Sequence, residues 1–152
     1  MNAKFPPSRD EIVSEFHEMP EWDERWDYII ELGRELPPLD PKFQTSENIV
    51  QGCMSTVWLD LVEQPTHDSS LPPSVTIFAD SDSLIVKGLI VILLSLYQGM
   101  SPQQIIACDE KSLFKELGLD LHLSPNRRNG LFAMVQRVKQ LATQLLQSQN
   151  RN

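Results

Sequence analysis

Apolar residues recur along this chain with two different periods, and the change from one to the other divides it into elements. Ser8-Arg9-Asp10-Glu11 has the form of a capping box, and Ile12, Val13 and Phe16 then give one apolar face to a short helix ending near Met19-Pro20. Pro20 opens a second helix, and Glu21, Asp23 and Glu24 suit its positive N-terminal end. Trp22, Trp26, Ile29, Ile30, Gly33 and Leu36 form its stripe, until Pro37-Pro38 stops it. At that spacing the two tryptophans read as core. Leu39 to Asn48 is a polar connector. The period then becomes two: Val57, Leu59 and Leu61 alternate with Trp58, Asp60 and Val62, predicting a strand. A long Pro65–Pro73 connection leads to a second strand, Val75 to Ala79, and the simplest pairing of the two is antiparallel.

Helical spacing returns after Asp80-Ser81-Asp82-Ser83, whose side chains can cap the next helix. Leu84 to Tyr97 is apolar nearly all round and predicts a buried helix. Gly88 inside it costs on the order of 1 kcal/mol of helix stability, for which close packing against the sheet or another helix is the expected compensation. Gly99 ends that helix. Ser101-Pro102-Gln103-Gln104 starts a short one with Ile105, Ile106 and Cys108 turned inward, and Ser112 to Leu117 forms a further turn or two closed by Gly118. The last helix starts at Ser124-Pro125 and carries Leu131, Met134, Val135, Val138, Leu141, Ala142 and Leu145 on one stripe, with a polar, fraying tail beyond Gln147. Strands and helices are segregated along the chain, so the fold class is α+β: a small antiparallel sheet packed by several helices, in a single domain over residues 1–152.

Composition narrows the function. The 152 residues, 41% hydrophobic and 22% charged, suit an ordinary globular domain with its own core. A net charge of −8 repels phosphate backbones, so no nucleic-acid partner is expected. No signal or transit segment is apparent, and Leu84–Tyr97 is too short to span a bilayer, so the expectation is a cytoplasmic protein with no membrane partner. Two cysteines make no disulfide scaffold. Cys53, Cys108, His17, His67 and His122 form no paired metal-ligand spacing, and no metal is expected.

The candidate chemistry centres on Gln51-Gly52-Cys53-Met54-Ser55-Thr56-Val57-Trp58. Gly52 gives the backbone freedom to present the Cys53 thiol, and Met54, Val57 and Trp58 offer apolar cover beside it. Residue types alone leave Cys53 open between a buried small hydrophobe and a reactive thiol. Arg127 and Arg128 stand in the first turn of the last helix, against its dipole, and Gly130 is a poor helix former just beyond them. They read either as a working site or as solvated arginines lying over apolar surface. His122 is expected to hydrogen-bond that helix start. Two other readings remain: a Cys–His hydrolase using Cys53 and His122, and a non-catalytic binding protein in which Cys53 is structural.

Four stretches together carry a resemblance. They are Trp26-Asp27-Tyr28-Ile29-Ile30-Glu31-Leu32-Gly33, then Val50 to Trp58, then Asp80-Ser81-Asp82-Ser83-Leu84-Ile85-Val86-Lys87-Gly88-Leu89, then His122-Leu123-Ser124-Pro125-Asn126-Arg127-Arg128-Asn129-Gly130-Leu131. In this order the chain resembles the SufE family of sulfur acceptors for cysteine desulfurases, which includes CsdE. The resemblance implies a fold like that of IscU-type scaffolds. It also implies a persulfide carried on Cys53, stimulation of a SufS- or CsdA-like desulfurase, and delivery of sulfur to an iron–sulfur scaffold complex. The carrier itself would have no cofactor, since pyridoxal phosphate belongs to the desulfurase, and would not be an enzyme in the usual sense. Gly52, Asp82 and Arg127 match partner-facing positions, with Met54, Val57, Trp58 and His122 as local support. Two cysteines are too few for a cluster scaffold.

Overall fold

A computed structural model describes residues 4–64 and 70–150. Two helices come first, α1 (Arg9–Glu18) and α2 (Trp22–Glu35), followed by two short 3-10 turns, Pro41–Phe43 and Ser46–Asn48. Strands β1 (Val57–Gln64) and β2 (Ser74–Ser81) form an antiparallel pair, in register from Val57 opposite Ser81 to Gln64 opposite Ser74. Five helices complete the chain: α3 (Leu84–Tyr97), α4 (Pro102–Ala107), α5 (Glu110–Leu117), α6 (Leu119–His122) and α7 (Pro125–Asn150). The architecture is α+β, with a two-stranded sheet among the described residues.

The predicted caps form where the side chains call for them. Ser8 Oγ accepts from the Glu11 N–H, Ser83 Oγ from the Val86 N–H, and Ser101 and Gln104 complete a reciprocal capping box. The end of α1 is closed from α2: Arg25 donates to the carbonyls of Met19 at 2.7 Å and Phe16 at 3.0 Å. Helix α3 is buried along most of its length, between α2 on one side and β2 and α7 on others. Its Gly88 answers the expected close packing. A Cβ there would stand 2.1 Å from the Ile29 carbonyl oxygen, and one at Gly33 would stand 2.5 Å from that of Leu84, so the two helices touch backbone to backbone. Val57, Leu59 and Leu61 are buried as the alternation requires, on the side of β1 that meets α7.

Several expectations need correction. Trp22 and Trp26 pack against the core as expected but are only half-buried, whereas Ile29, Leu32 and Gly33 of the same helix are buried. Ile106 is 38% exposed: α4 has less than two turns, and of its two isoleucines only Ile105 is buried. Cys108, its C-cap, is half-buried. Asp80 and Ser81 belong to the end of β2, leaving Ser83 as the cap of α3. Helix α5 begins at Glu110, capped by Asp109, and the one-turn α6 is an element that the hydrophobic pattern does not predict. Of the long Pro65–Pro73 connection, residues 65–69 lie outside the described residues, and His67 with them.

Candidate functional site

The Cys53 loop is pinched off by its own flanks. The Val50 N–H donates to the Val57 carbonyl at 2.8 Å, and Ile49 makes an isolated antiparallel bridge with Trp58, so residues 51–56 bulge out as a closed turn. Gly52 turns the chain with φ 94°, a conformation that side-chain-bearing residues avoid. The end of the loop is fastened by the start of the α3 region. Asp82 Oδ1 accepts from the Thr56 N–H at 3.1 Å, the Asp82 N–H donates back to the Thr56 carbonyl at 3.3 Å, and Ser81 Oγ donates to the same carbonyl at 2.8 Å. Asp82, exposed, therefore holds the loop in place whatever else it meets.

Cys53 is half-buried. Its Sγ donates to the Gly130 carbonyl at 3.6 Å, and it faces a cavity of about 330 Å³ between the loop, α3 and α7. Val57, Val86, Leu89, Leu131 and Met134 form the apolar wall, and Ser55, Ser83, Ser124, Asn126 and Arg127 the polar rim. Burial pushes the thiol pKa up, because the low-dielectric wall favours the neutral form. Arg127 is exposed on the rim with its guanidinium carbon 6.0 Å from the Trp26 ring centroid. Its backbone N–H is capped by Ser124 Oγ at 3.3 Å. Trp26 lies 5.5 Å from Trp22, on which His122 stacks at 4.1 Å. An aromatic and cationic run thus leads along the surface from α6 to the cavity mouth.

Of the residues singled out from the sequence, Cys53, Met54, Val57 and Arg127 line one cavity, and Gly52 and Asp82 shape the loop that enters it. Trp58 and His122 do not line it. Trp58 is paired within the sheet opposite Asp80. His122 is exposed and stacks on Trp22, in place of the hydrogen bond to the helix start that the sequence predicts. Of the three residues expected to cover the thiol only buried Val57 does so, joined by α3 and α7, since Met54 is 81% exposed and Trp58 lies elsewhere. Among the described residues, no His, Asp or Glu lines the cavity and no group of three or more His, Cys, Asp or Glu is placed to hold a metal ion. A Cys–His hydrolase would need a base at the thiol. In the sequence, Gly130 stands out only as a weak helix former, and Val86, Leu89, Leu131 and Met134 only as core. Nothing in their spacing tells a cavity wall from an interior.

Fold and site define a class: a small α+β protein that keeps one thiol, neutral and half-covered, at the mouth of an apolar-walled cavity. A family model described as "SufE: Fe-S metabolism associated domain" matches residues 10–142. The chain is 42% identical over 132 residues to an uncharacterized SufE-like protein of Rhizobium meliloti (strain 1021), covering 87% of this chain and 92% of that one. The chain belongs to the SufE family, and its role lies in iron–sulfur metabolism. Its fold is similar to the solution structure of a hypothetical protein from Thermus thermophilus, with TM-score 0.70 and 18% identity over 95% of this chain and 99% of that one.

Proposed function

We propose that this protein is a persulfide carrier. It accepts sulfane sulfur from a pyridoxal-phosphate-dependent cysteine desulfurase onto Cys53, stimulates that enzyme by doing so, and delivers the sulfur to an iron–sulfur assembly scaffold. The observation that carries the reading is the Cys53 pocket: a thiol beside an apolar-walled cavity of about 330 Å³, in a chain of the SufE family. In the transfer, the Cys53 thiolate attacks the outer sulfur of the desulfurase persulfide. A new S–S bond forms to Cys53, the old one breaks, and the desulfurase cysteine leaves as a thiolate. Burial raises the Cys53 pKa, so docking that opens the loop or supplies a proton acceptor would favour the attacking thiolate. Exposed Met54 and Arg127 at the cavity mouth, with Asp82 beside the loop, are the contacts proposed for the desulfurase. The proposed setting is the reducing cytoplasm. No helix among the described residues is long and apolar enough to cross a membrane.

The test is incubation with a cysteine desulfurase, pyridoxal phosphate and cysteine, followed by intact-mass measurement. The protein is expected to gain one sulfur atom. Cys53→Ser should gain none while keeping its melting curve, and Cys108→Ser should load as the wild type does. Loss of loading in Cys108→Ser with an unchanged melt would move the carrier role to the other thiol, and loading of neither cysteine would overturn the proposal.

A further inference from the structure

Five of the six glycines are required by the resting structure. Gly52, Gly99 and Gly118 stand at positive φ, and Gly33 and Gly88 stand where a Cβ would strike the backbone of the facing helix. Gly130 meets neither condition. It lies inside the 26-residue helix α7, where glycine is a poorer choice than alanine, and its φ is not positive. It is buried, so it does not serve the close approach of a docking partner's backbone. A Cβ built on it meets one atom within 4 Å, Cys53 Sγ at 3.6 Å, which is ordinary van der Waals contact. The thiol form of the protein would therefore accept alanine at this position.

We propose that Gly130 is a positioning residue that reserves the space beside Cys53 for a second sulfur atom, so that the persulfide, and not only the thiol, fits inside the cavity. This rests on the reading of the protein as a persulfide carrier. The thiol of Cys53 donates to the Gly130 carbonyl, so the atom that replaces its proton starts on the Gly130 side of Sγ. The outer sulfur of a persulfide stands about 2.05 Å from the inner one. Rotation about the Cβ–Sγ bond takes it off the carbonyl oxygen, and the unfilled side of Gly130, where a Cβ would stand 3.6 Å from Sγ, is the space assigned to it. A methyl group 3.6 Å from Sγ on that side leaves room for a thiol and not for a sulfur bonded to it. Gly130 thus distinguishes the loaded from the unloaded state, and alanine would force the outer sulfur towards the cavity mouth and solvent.

The experiment installs the sulfur chemically, in a Cys108→Ser background, on wild type and Gly130→Ala. Cys53 is converted to its mixed disulfide with thionitrobenzoate. Hydrosulfide then attacks the protein sulfur, the new S–S bond forms, the old one breaks, and thionitrobenzoate leaves with the electron pair. Intact mass follows loss of the outer sulfur to glutathione, whose thiolate attacks that sulfur and releases Cys53 as a thiolate. Gly130→Ala is expected to melt no lower than wild type and to alkylate at the wild-type rate as a thiol. Its persulfide should be lost roughly tenfold faster, the scale of effect expected from overpacking one methyl. Gly130→Ser should shift in the same direction. Equal persulfide lifetimes in the variants and wild type would overturn the inference, and so would unfolding of Gly130→Ala, because the resting protein would then need the glycine. Loading of the wild type by a desulfurase is measured alongside. A protein that shelters chemically installed sulfur but takes none from a desulfurase removes the carrier reading, whereas equal lifetimes remove only the role of Gly130.

Discussion

Burial acts on Cys53 in two ways that a single measurement can separate. The cavity wall disfavours the thiolate, which raises the pKa, and the loop and α7 limit access to Sγ. No cation offsets the first effect enough to lower the pKa, although Arg127 stands on the rim. Below the midpoint the folded protein therefore holds a smaller thiolate fraction than an unfolded chain at the same pH. In a Cys108→Ser background, the rate of iodoacetamide alkylation should rise with pH to a midpoint above that of the urea-unfolded protein. The plateau at high pH should stay below the unfolded rate, because access is restricted even to the thiolate. A folded protein that matches the unfolded rate at every pH has no sheltered thiol. The Cys108 substitution is needed because Cys108 is half-buried, with its own thiol pKa raised first by burial and then by Glu110.

Among the elements, α2 and α3 matter most for holding the site, although neither carries the thiol. Their glycines bring the backbones into contact, and α3 then presents Val86 and Leu89 to the cavity while its cap, Ser83, directly succeeds the Asp82 anchor of the loop. Gly88→Ala places a methyl against the Ile29 carbonyl, which cannot swing aside as a side-chain end would. The helices must separate, at a cost of about 3 kcal/mol or more, the upper part of the range for overpacked cores. Urea unfolding of Gly88→Ala should show that loss. A stability within experimental error of wild type would mean that α2 and α3 are not in backbone contact. The same argument gives Gly130→Ala the opposite expectation, since its Cβ meets only a sulfur atom at contact distance.

At the scale of the whole molecule, a partly buried polar network joins elements that the apolar core alone would leave adjustable. Lys139 Nζ on α7 donates to the carbonyls of Ile105, Ile106 and Cys108, each at 3.0 Å, and lies 3.1 Å from Glu110 Oε2. Glu110, almost fully buried at the start of α5, accepts from the Tyr97 hydroxyl at 2.6 Å at the end of α3. Four helices thus share one ion pair. Lys139→Met would leave the Glu110 carboxylate buried without its cation and the carbonyls of Ile106 and Cys108 without the ammonium, while the Ile105 carbonyl keeps the Cys108 N–H. A loss of about 3 kcal/mol is expected by urea unfolding at neutral pH. Adding Glu110→Gln should restore part of it, because the uncompensated charge is then gone. If the double variant is as unstable as the two single losses added together, the residues do not act as a pair.

Local chemistry determined much of this protein. The caps at Ser8, Ser83 and Ser101, the period-two run of β1 and the all-round apolarity of α3 depend on residues within a few positions of one another, and they appear as expected. The Cys53 loop is legible too, as a glycine and a cysteine ahead of a strand. Which side chains surround the thiol was decided only by tertiary structure. Gly130 is far from Cys53 in sequence, and its helical pattern does not reveal that its carbonyl lies 3.6 Å from Sγ. Trp58 is close to the cysteine in sequence and gives it no cover, because the strand directs it elsewhere, while Met54 reaches only the open mouth of the cavity, 81% exposed. His122, Trp22, Trp26 and Arg127 come together because α6 and the start of α7 pack beside α2. Sequence periodicity records which face of an element is apolar; it does not record which other face it meets, and the cavity beside Cys53 is made of such meetings.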